Sequence, residues 1–356
     1  MKEFGKDCYQ DILNQDLAWE SLLEDERKHE KVIKKLKGEN VKKVIFIGCG
    51  SSYYIAVSGA FIFKKITGIE SEAVPGSEMM FNPEVYLPNN KSNNEKTLLV
   101  PISRSGQSIE IIEAMNQFKE AENVIKIALT CDQNSKLVDI TDYYIYSKMG
   151  LEKSLIMSRS FTSMLLGISF IAALWIEDQE LINEIKKLPV LFKNNIQKWD
   201  KKIKVHIDSL VYDKFEFLGQ GSYFGIANEA MLKMKEMAIT VSEDFHSLEF
   251  RHGPKSIVDN KTLITMFIGE KSYQREKRLS KELKSYGGDL FIIGNKLDDE
   301  IIEQTLLYFE INSNLNEEIL SPLVLVPAQL LAYHLASKKG LDIENPKNLS
   351  KVVENI

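Results

Sequence analysis

Three hydroxyls and an arginine crowd into six positions at Ser103-Arg-Ser-Gly-Gln-Ser108, between an apolar run that stops at Pro101 and an amphipathic segment that begins at Ile109. That order reads as strand, tight turn and helix. It sets the hydroxyls of Ser103, Ser105 and Ser108 beside the free N–H groups of a helix N-terminus, which favours a bound anion. Ser108 also fits an N-cap, and on pattern alone a capped turn and an anion site both stay open. A second set is Glu229, Lys233 and Glu236, at i, i+4 and i+7 on one helix face. Exposed, such a ladder is a solvated row of ion pairs. At a ligand-binding rim, one of these carboxylates could serve as a general base whose charge state Lys233 sets. The third is His252 in Phe250-Arg-His-Gly-Pro254, with Arg251 beside it. A rigid Gly-Pro turn makes it the best placed of the five histidines for proton transfer.

The elements that must position these groups alternate in type. Lys43–Ile47 is a buried-type strand running into Gly48-Cys-Gly-Ser-Ser-Tyr53. Glu72–Pro75, Leu98–Val100, Val124–Thr130 and Asp142–Tyr146 read as further strands, with helices between them such as Ile109–Glu122. A long apolar helix covers Met164–Trp175. Phe215–Leu218 then runs into Gly219-Gln-Gly-Ser-Tyr-Phe-Gly-Ile-Ala227, which repeats the pattern of Ile45–Ala56: strand, Gly-x-Gly-Ser, aromatic, Ile-Ala, helix. Strands at Leu263–Ile268, Asp289–Ile293 and Leu307–Glu310 continue the second series. Strand–helix alternation predicts α/β, with two doubly wound parallel-sheet domains. The boundaries are a helical arm at 1–40, a first domain at 41–176, a helical connector at 177–212, a second domain at 213–340 and a tail at 341–356.

Composition narrows the function classes. The 356 residues are 44% hydrophobic and 27% charged, with a net charge of −6, which argues against a general nucleic-acid surface. Cys8, Cys49 and Cys131 lack metal-type spacing and read as reduced thiols. No signal-peptide core opens the chain, and the run Met164–Ile176 is too short to span a bilayer, so a cytoplasmic protein without membrane association is expected. Neither Gly48-Cys-Gly50 nor Gly219-Gln-Gly221 carries the third glycine of a dinucleotide fingerprint, and no Gly-Lys-Ser/Thr loop occurs. No cofactor and no metal are expected.

Taken together, Gly48-Cys-Gly-Ser-Ser-Tyr53, Ile102–Ser108, Leu232-Lys-Met-Lys-Glu236, Glu249–Pro254 and Asn348-Leu-Ser-Lys351 resemble, in order, the sugar isomerase (SIS) family in its tandem form. Ala73-Val-Pro75, Asn82–Leu87, Met157–Met164 and Arg251–Asp259 are most similar to its ketose/aldose isomerase and amino-sugar-phosphate deaminase branch. The resemblance implies that Ser103, Arg104, Ser105 and Ser108, with Ser52 nearby, hold a sugar phosphate, and that Gly50, Ser51, Glu229, Lys233 and Arg251 support the site. It implies that Glu236 moves the proton between C1 and C2, that His252 opens the sugar ring, and that Lys351 meets the substrate carbonyl. In the glucosamine-6-phosphate synthase member the histidine comes from the other subunit, which implies a homodimer or higher homo-oligomer with shared active sites.

This sequence departs from that synthase in carrying Arg104 for glutamine and Arg159 for lysine. An arginine at 104 would face the phosphate or a neighbouring carboxylate. Forty residues ahead of the first domain cannot hold a glutaminase, so synthesis from glutamine is not expected. The resemblance implies instead conversion of an amino-sugar 6-phosphate to a ketose 6-phosphate and ammonia. A deglycase acting on an Amadori-product phosphate ranks second, and a non-catalytic sugar-phosphate sensor third.

Overall fold

A computed structural model describes residues 5–87 and 95–350. Its contacts divide the chain into two compact units. One holds Asn14–Glu152 and Arg159–Pro189; the other holds the residues up to Leu13, Lys153–Ser158 and Val190–Leu349.

The first unit is built on strands β1 (Val41–Gly48), β2 (Glu70–Pro75), β3 (Lys96–Ser103), β4 (Val124–Thr130) and β5 (Tyr143–Tyr146). They pair in the order β2-β1-β3-β4-β5, every pair parallel. A parallel sheet is covered on both faces, so its central strands are apolar on both sides; all seven residues of β4 are buried. Ile45, Ile47, Val74, Leu99, Ile111, Met115 and Leu137 pack on one face. The helix Arg159–Ile176 packs against the helix Ser51–Thr67 on the other. This apolar helix is longer than the Met164–Ile176 run: its 18 residues reach the length and hydropathy of a bilayer span, yet it is 89% buried. The helix Gln15–Glu24 also packs on it, where the Trp19 indole N–H donates to Thr162 Oγ1 at 3.0 Å.

The second unit repeats this plan with β6 (Lys214–Gly219), β7 (Ser242–His246), β8 (Thr262–Ile268), β9 (Asp289–Gly294) and β10 (Leu307–Glu310). The order β10-β9-β8-β6-β7, again all parallel, is the first sheet's order. In both sheets the first and third strands in sequence lie side by side and the chain reverses its direction of travel between them. That switch point is where open α/β sheets bind ligands, outside the carboxyl ends of the strands. The helix Ser222–Ala238 leaves β6 and packs on Glu317–Val324 and Val326–Lys338. On the last of these, Tyr333 stacks with Tyr9 at 4.6 Å. Asp200 accepts from the Tyr9 hydroxyl at 2.8 Å and meets His334 Nε2 at 2.7 Å.

The two sheets are the predicted α/β, doubly wound architecture, with three differences in detail. β7 was not foreseen: Ser-Glu-Asp-Phe-His is polar because it is an edge strand, paired only through β6. The helix predicted over Ile109–Glu122 stops at Asn116, after which i→i+3 turns take over at Gln117, Phe118 and Lys119. The helix Glu317–Val324 was missed because Pro322 lies inside it.

One buried acid makes the second unit pH-sensitive. Glu216, 2% exposed in the middle of β6, sits in register with Glu243 of β7. Burial, then the Glu243 charge, pushes its carboxyl up to about 7, against the pull of Lys214. Between the ordinary 4.5 and about 7 the folded chain keeps a proton that the unfolded chain has shed, so this group's contribution to stability falls as pH rises through that window. Glu216→Gln is expected to flatten the decline in Tm between pH 5 and pH 8. An unchanged decline would show that Glu216 is ionised throughout.

Candidate active site

In the first unit the site begins where β1 and β3 end side by side, with Ile47 in register with Pro101. After β1 the chain turns through Gly50 at φ 54°, ψ −128°, a conformation for which glycine is suited and L residues are not. A Cβ on Gly48 would lie 2.3 Å from the Ser52 carbonyl, so glycine is what lets the first turn of the helix come down onto the strand end. Ser51 and Ser52 open that helix, both buried.

After β3 the serines fold over their own backbone. Ser103 Oγ accepts from the Gly106 N–H at 3.1 Å and lies 3.2 Å from Ser108 Oγ, while Ser105 Oγ accepts from the Gln107 N–H at 3.2 Å. Gly106 takes φ 60° and packs against Ser135, leaving no room for a Cβ. Ser108 occupies the N-cap position, as predicted, but its hydroxyl makes no capping bond. Its Oγ pairs with Ser103 instead, so the first N–H groups of the helix Ile109–Asn116 have no hydroxyl cap from Ser108.

Arg104 faces a carboxylate. Its guanidinium, 8% exposed, meets Glu152 Oε2 at 3.2 Å, and Glu152 is completely buried. Glu152 is held in turn by the Ser160 N–H at 3.2 Å and the Ser160 hydroxyl at 2.6 Å. The serine loop is thereby tied to the first turn of the helix Arg159–Ile176. Arg159 itself donates to the Leu151 carbonyl at 2.7 Å.

The second unit repeats the glycine turn with different cargo. Gly221 stands at φ 62°, ψ −126°, and a Cβ on Gly219 would lie 2.1 Å from the Tyr223 carbonyl oxygen. The helix so positioned carries Glu229, Lys233 and Glu236. Lys233 is completely buried, with Glu229 Oε1 at 3.0 Å and Glu236 Oε2 at 2.5 Å; Glu229 is completely buried too, and Glu236 is 17% exposed. Burial works against the ammonium, but the two carboxylates outweigh it and hold Lys233 charged well above the usual lysine range. The solvated salt-bridge ladder is therefore ruled out: this is a buried ion triad with one carboxylate at its open end. Two turns of 3₁₀ helix, Glu249–Arg251 and Pro254–Ile257, frame His252, which is exposed. Arg251 Nε and Lys255 Nζ both reach the Glu282 carboxylate, at 3.2 and 2.5 Å, and so fix the turn from either side of His252.

Comparison with known proteins follows the same two-part outline. The SIS domain profile matches residues 39–176 and again 213–338. The chain belongs to the SIS family. Over 337 residues it is 28% identical to glutamine–fructose-6-phosphate aminotransferase (isomerizing) of Wigglesworthia glossinidia brevipalpis, covering 88% of this chain and 51% of that one. It thus spans about half the length of the curated relatives it matches. The solved glucosamine-6-phosphate deaminase of Thermotoga maritima is 28% identical, with a TM-score of 0.72 over 95% of this chain and 99% of that one. Tagatose-6-phosphate ketose/aldose isomerase of Escherichia coli shares the fold at 22% identity, with a TM-score of 0.80 over 94% of each chain.

Within the SIS chain, Ser103, Arg104, Ser105 and Ser108 form one loop, and Gly50, Ser51 and Ser52 end the adjacent strand. Glu229, Lys233 and Glu236 form one triad, and Arg251 braces the turn that presents His252. Lys351 lies outside the described residues. Sequence reasoning missed Glu152, Ser160 and Glu282, the groups that hold Arg104 and Arg251. They come from loops or helices distant in sequence and show no periodic signal.

The triad has a measurable consequence. Removing one member of a buried ion pair strands the other charge, at a cost of about 3–5 kcal/mol. Lys233→Met is expected to lower unfolding stability by that amount in urea. A loss below about 1 kcal/mol would mean that Glu229 and Glu236 do not depend on the ammonium.

Proposed function

We propose that this SIS chain is a phosphosugar isomerase of the deaminating kind, converting a 2-amino-sugar 6-phosphate to a ketose 6-phosphate and ammonia. The observation that carries the reading is Glu236: a carboxylate at the open end of a buried triad, fixed 2.5 Å from the Lys233 ammonium and 17% exposed. Proton abstraction next to a carbonyl needs such a base, fixed and accessible to substrate. The similarity to the Thermotoga deaminase, which extends over nearly the full length of both chains, supports the substrate class.

The serine loop with Ser51 and Ser52 holds the phosphate dianion through hydroxyls and helix N-terminal N–H groups. Arg104 contributes positive field from its pair with Glu152. His252 protonates the ring oxygen and takes the anomeric proton, which opens the pyranose to the aldehyde. Glu236 removes the proton at C2, giving an enolamine, and returns it to C1, leaving a ketimine at C2. Lys351 supports the developing charge on the C1 oxygen. Water adds to the ketimine and ammonia leaves, so that a ketone replaces the amine. Proton transfer by a positioned carboxylate contributes about 10²- to 10⁴-fold, and fixing the phosphate end supplies orientation. An exposed His252 suits donation to a neighbouring copy's site, so the working unit in this proposal is a homodimer or larger assembly.

Glucosamine, galactosamine, tagatose and fructoselysine 6-phosphates, assayed for ammonia, amine and ketose phosphate, test the reading. Ammonia from an amino sugar is the expected product, and amine release from fructoselysine 6-phosphate alone would replace the reading with a deglycase. Glu236→Gln is expected to leave sugar-phosphate binding within about threefold while lowering kcat at least 10²-fold. A variant with unchanged kcat would remove Glu236 from the mechanism.

A further inference from the structure

The chain contains two copies of one fold, and the copies differ at the loop that follows the third strand. In the first unit this loop is Ser103–Ser108, whose hydroxyls, among the described residues, pair with one another and with the loop's own backbone. Its counterpart in the second unit follows β8, at Gly269-Glu-Lys-Ser272, and leads into the helix Tyr273–Ser285. Here the donors are already spoken for. The Gly269 N–H at 3.1 Å and the Ser272 hydroxyl at 2.7 Å both donate to Glu276 Oε2. Ser247, the residue after β7, donates its hydroxyl to Glu276 Oε1 at 2.6 Å. The next amide, Glu270 N–H, donates to Glu317 Oε2 at 2.5 Å.

Two loop amides and two serine hydroxyls at the carboxyl end of a parallel sheet are the donor set expected around a phosphate. In the second unit that set converges on side chains of the chain itself. Glu276 is completely buried on the first turn of its helix: burial pushes its carboxyl up, opposed by the three donated hydrogen bonds from Ser247, Ser272 and Gly269 and by the N-terminal field, which favours a negative charge. Glu317 Oε2 comes within 3.2 Å of where a Gly269 Cβ would stand, as does Ser272 Oγ, so carboxylate and hydroxyl close over the glycine together.

We propose that Glu276 and Glu317 are built-in anions that fill the second unit's counterpart of the Ser103–Ser108 cradle, so that the chain holds one phosphate-class ligand and not two. Glu276 is the main plug, with three of the four donors on it; Glu317 closes the rim. An external phosphate is excluded on two grounds, since its donors are engaged and two carboxylates repel it. Vacating the Glu276 position frees an anion cradle of two hydroxyls and an amide.

The comparison rests on the phosphate-site reading of Ser103–Ser108, and the test separates the two. Fructose 6-phosphate binding to the unaltered protein by equilibrium dialysis is expected to saturate at one per chain, and to vanish in Ser105→Ala/Ser108→Ala. Saturation at two, or one ligand retained in the double variant, would overturn the proposal. No binding to the unaltered protein would overturn the Ser103–Ser108 reading alone. In the double-variant background, adding Glu276→Ala is expected to create an inorganic-phosphate site. At about ten times its Kd, phosphate should then raise Tm by roughly 3 °C over chloride at equal ionic strength, with no such rise before Glu276 is replaced. A folded triple variant indifferent to phosphate would overturn the proposal. If that variant does not fold, the double-variant dialysis decides.

Discussion

The architecture depends on how closely a helix can approach the end of the strand that precedes it. At Gly48 and Gly219 the first turn of the following helix sits so near that a single methyl group would overlap backbone atoms, at 2.3 and 2.1 Å. Two residues later, Gly50 and Gly221 adopt the same conformation to within 8° in φ and 2° in ψ. That pair of constraints aims a helix N-terminus at the switch point of each sheet. Once it is met, every side chain on the first two turns of the helix has its direction set relative to the strand ends. Ser51 and Ser52 are placed in this way in one unit. In the other, the same helix is followed two to four turns along by Glu229, Lys233 and Glu236.

The two copies of the plan serve different chemistry because their donors and charges are distributed differently. The first unit supplies neutral hydroxyls and leaves helix amides without a hydroxyl cap at Ser108. Arg104, within that loop, is tethered to a buried carboxylate. The second unit supplies an ammonium and two carboxylates, with a histidine turn braced by Glu282. Strain accompanies the second set. The helix bearing Glu236 ends at Ile239 in the left-handed region, φ 49°, ψ 52°, and Thr240 closes back on the Met234 carbonyl through both its N–H and its hydroxyl. A β-branched residue in that conformation costs about 1–2 kcal/mol. Such a cost survives where surrounding structure overdetermines it, as packing against β7 does here.

How much of this was legible in the sequence follows from what each feature leaves in the local pattern. Central parallel strands announce themselves as contiguous apolar runs, so β4 was bounded to the residue and β8 to within one. The edge strand β7 carries no such run and was invisible. The Gly-x-Gly-Ser repeat was readable because a steric constraint fixes residue type directly. The serine loop was readable as a candidate only, since a cap and an anion site use the same residues; the unmade Ser108 cap is a three-dimensional fact. The charged ladder on the helix Ser222–Ala238 was the least decidable, because spacing cannot distinguish a wet face from a dry one. Glu152 and Glu282 left no trace, since the groups they hold lie 48 and 31 positions away.

Burial changes the meaning of that ladder. On a solvent-facing helix a Glu–Lys–Glu series adds a few tenths of a kcal/mol per pair and asks for no further explanation. With Lys233 and Glu229 both completely buried, desolvation of each charge competes with their attraction, and apolar residues of the same volume would stabilise the fold as well or better. Stability therefore gives no account of why an ammonium stands there. Its effect on Glu236 does. Glu236 is the only one of the three with solvent access, and the buried ammonium at 2.5 Å fixes its position. Glu229 takes the other side of the ammonium, at 3.0 Å. A carboxylate fixed in place yet open to solvent is what proton transfer at carbon requires, and a chain selected for stability alone would have no use for one.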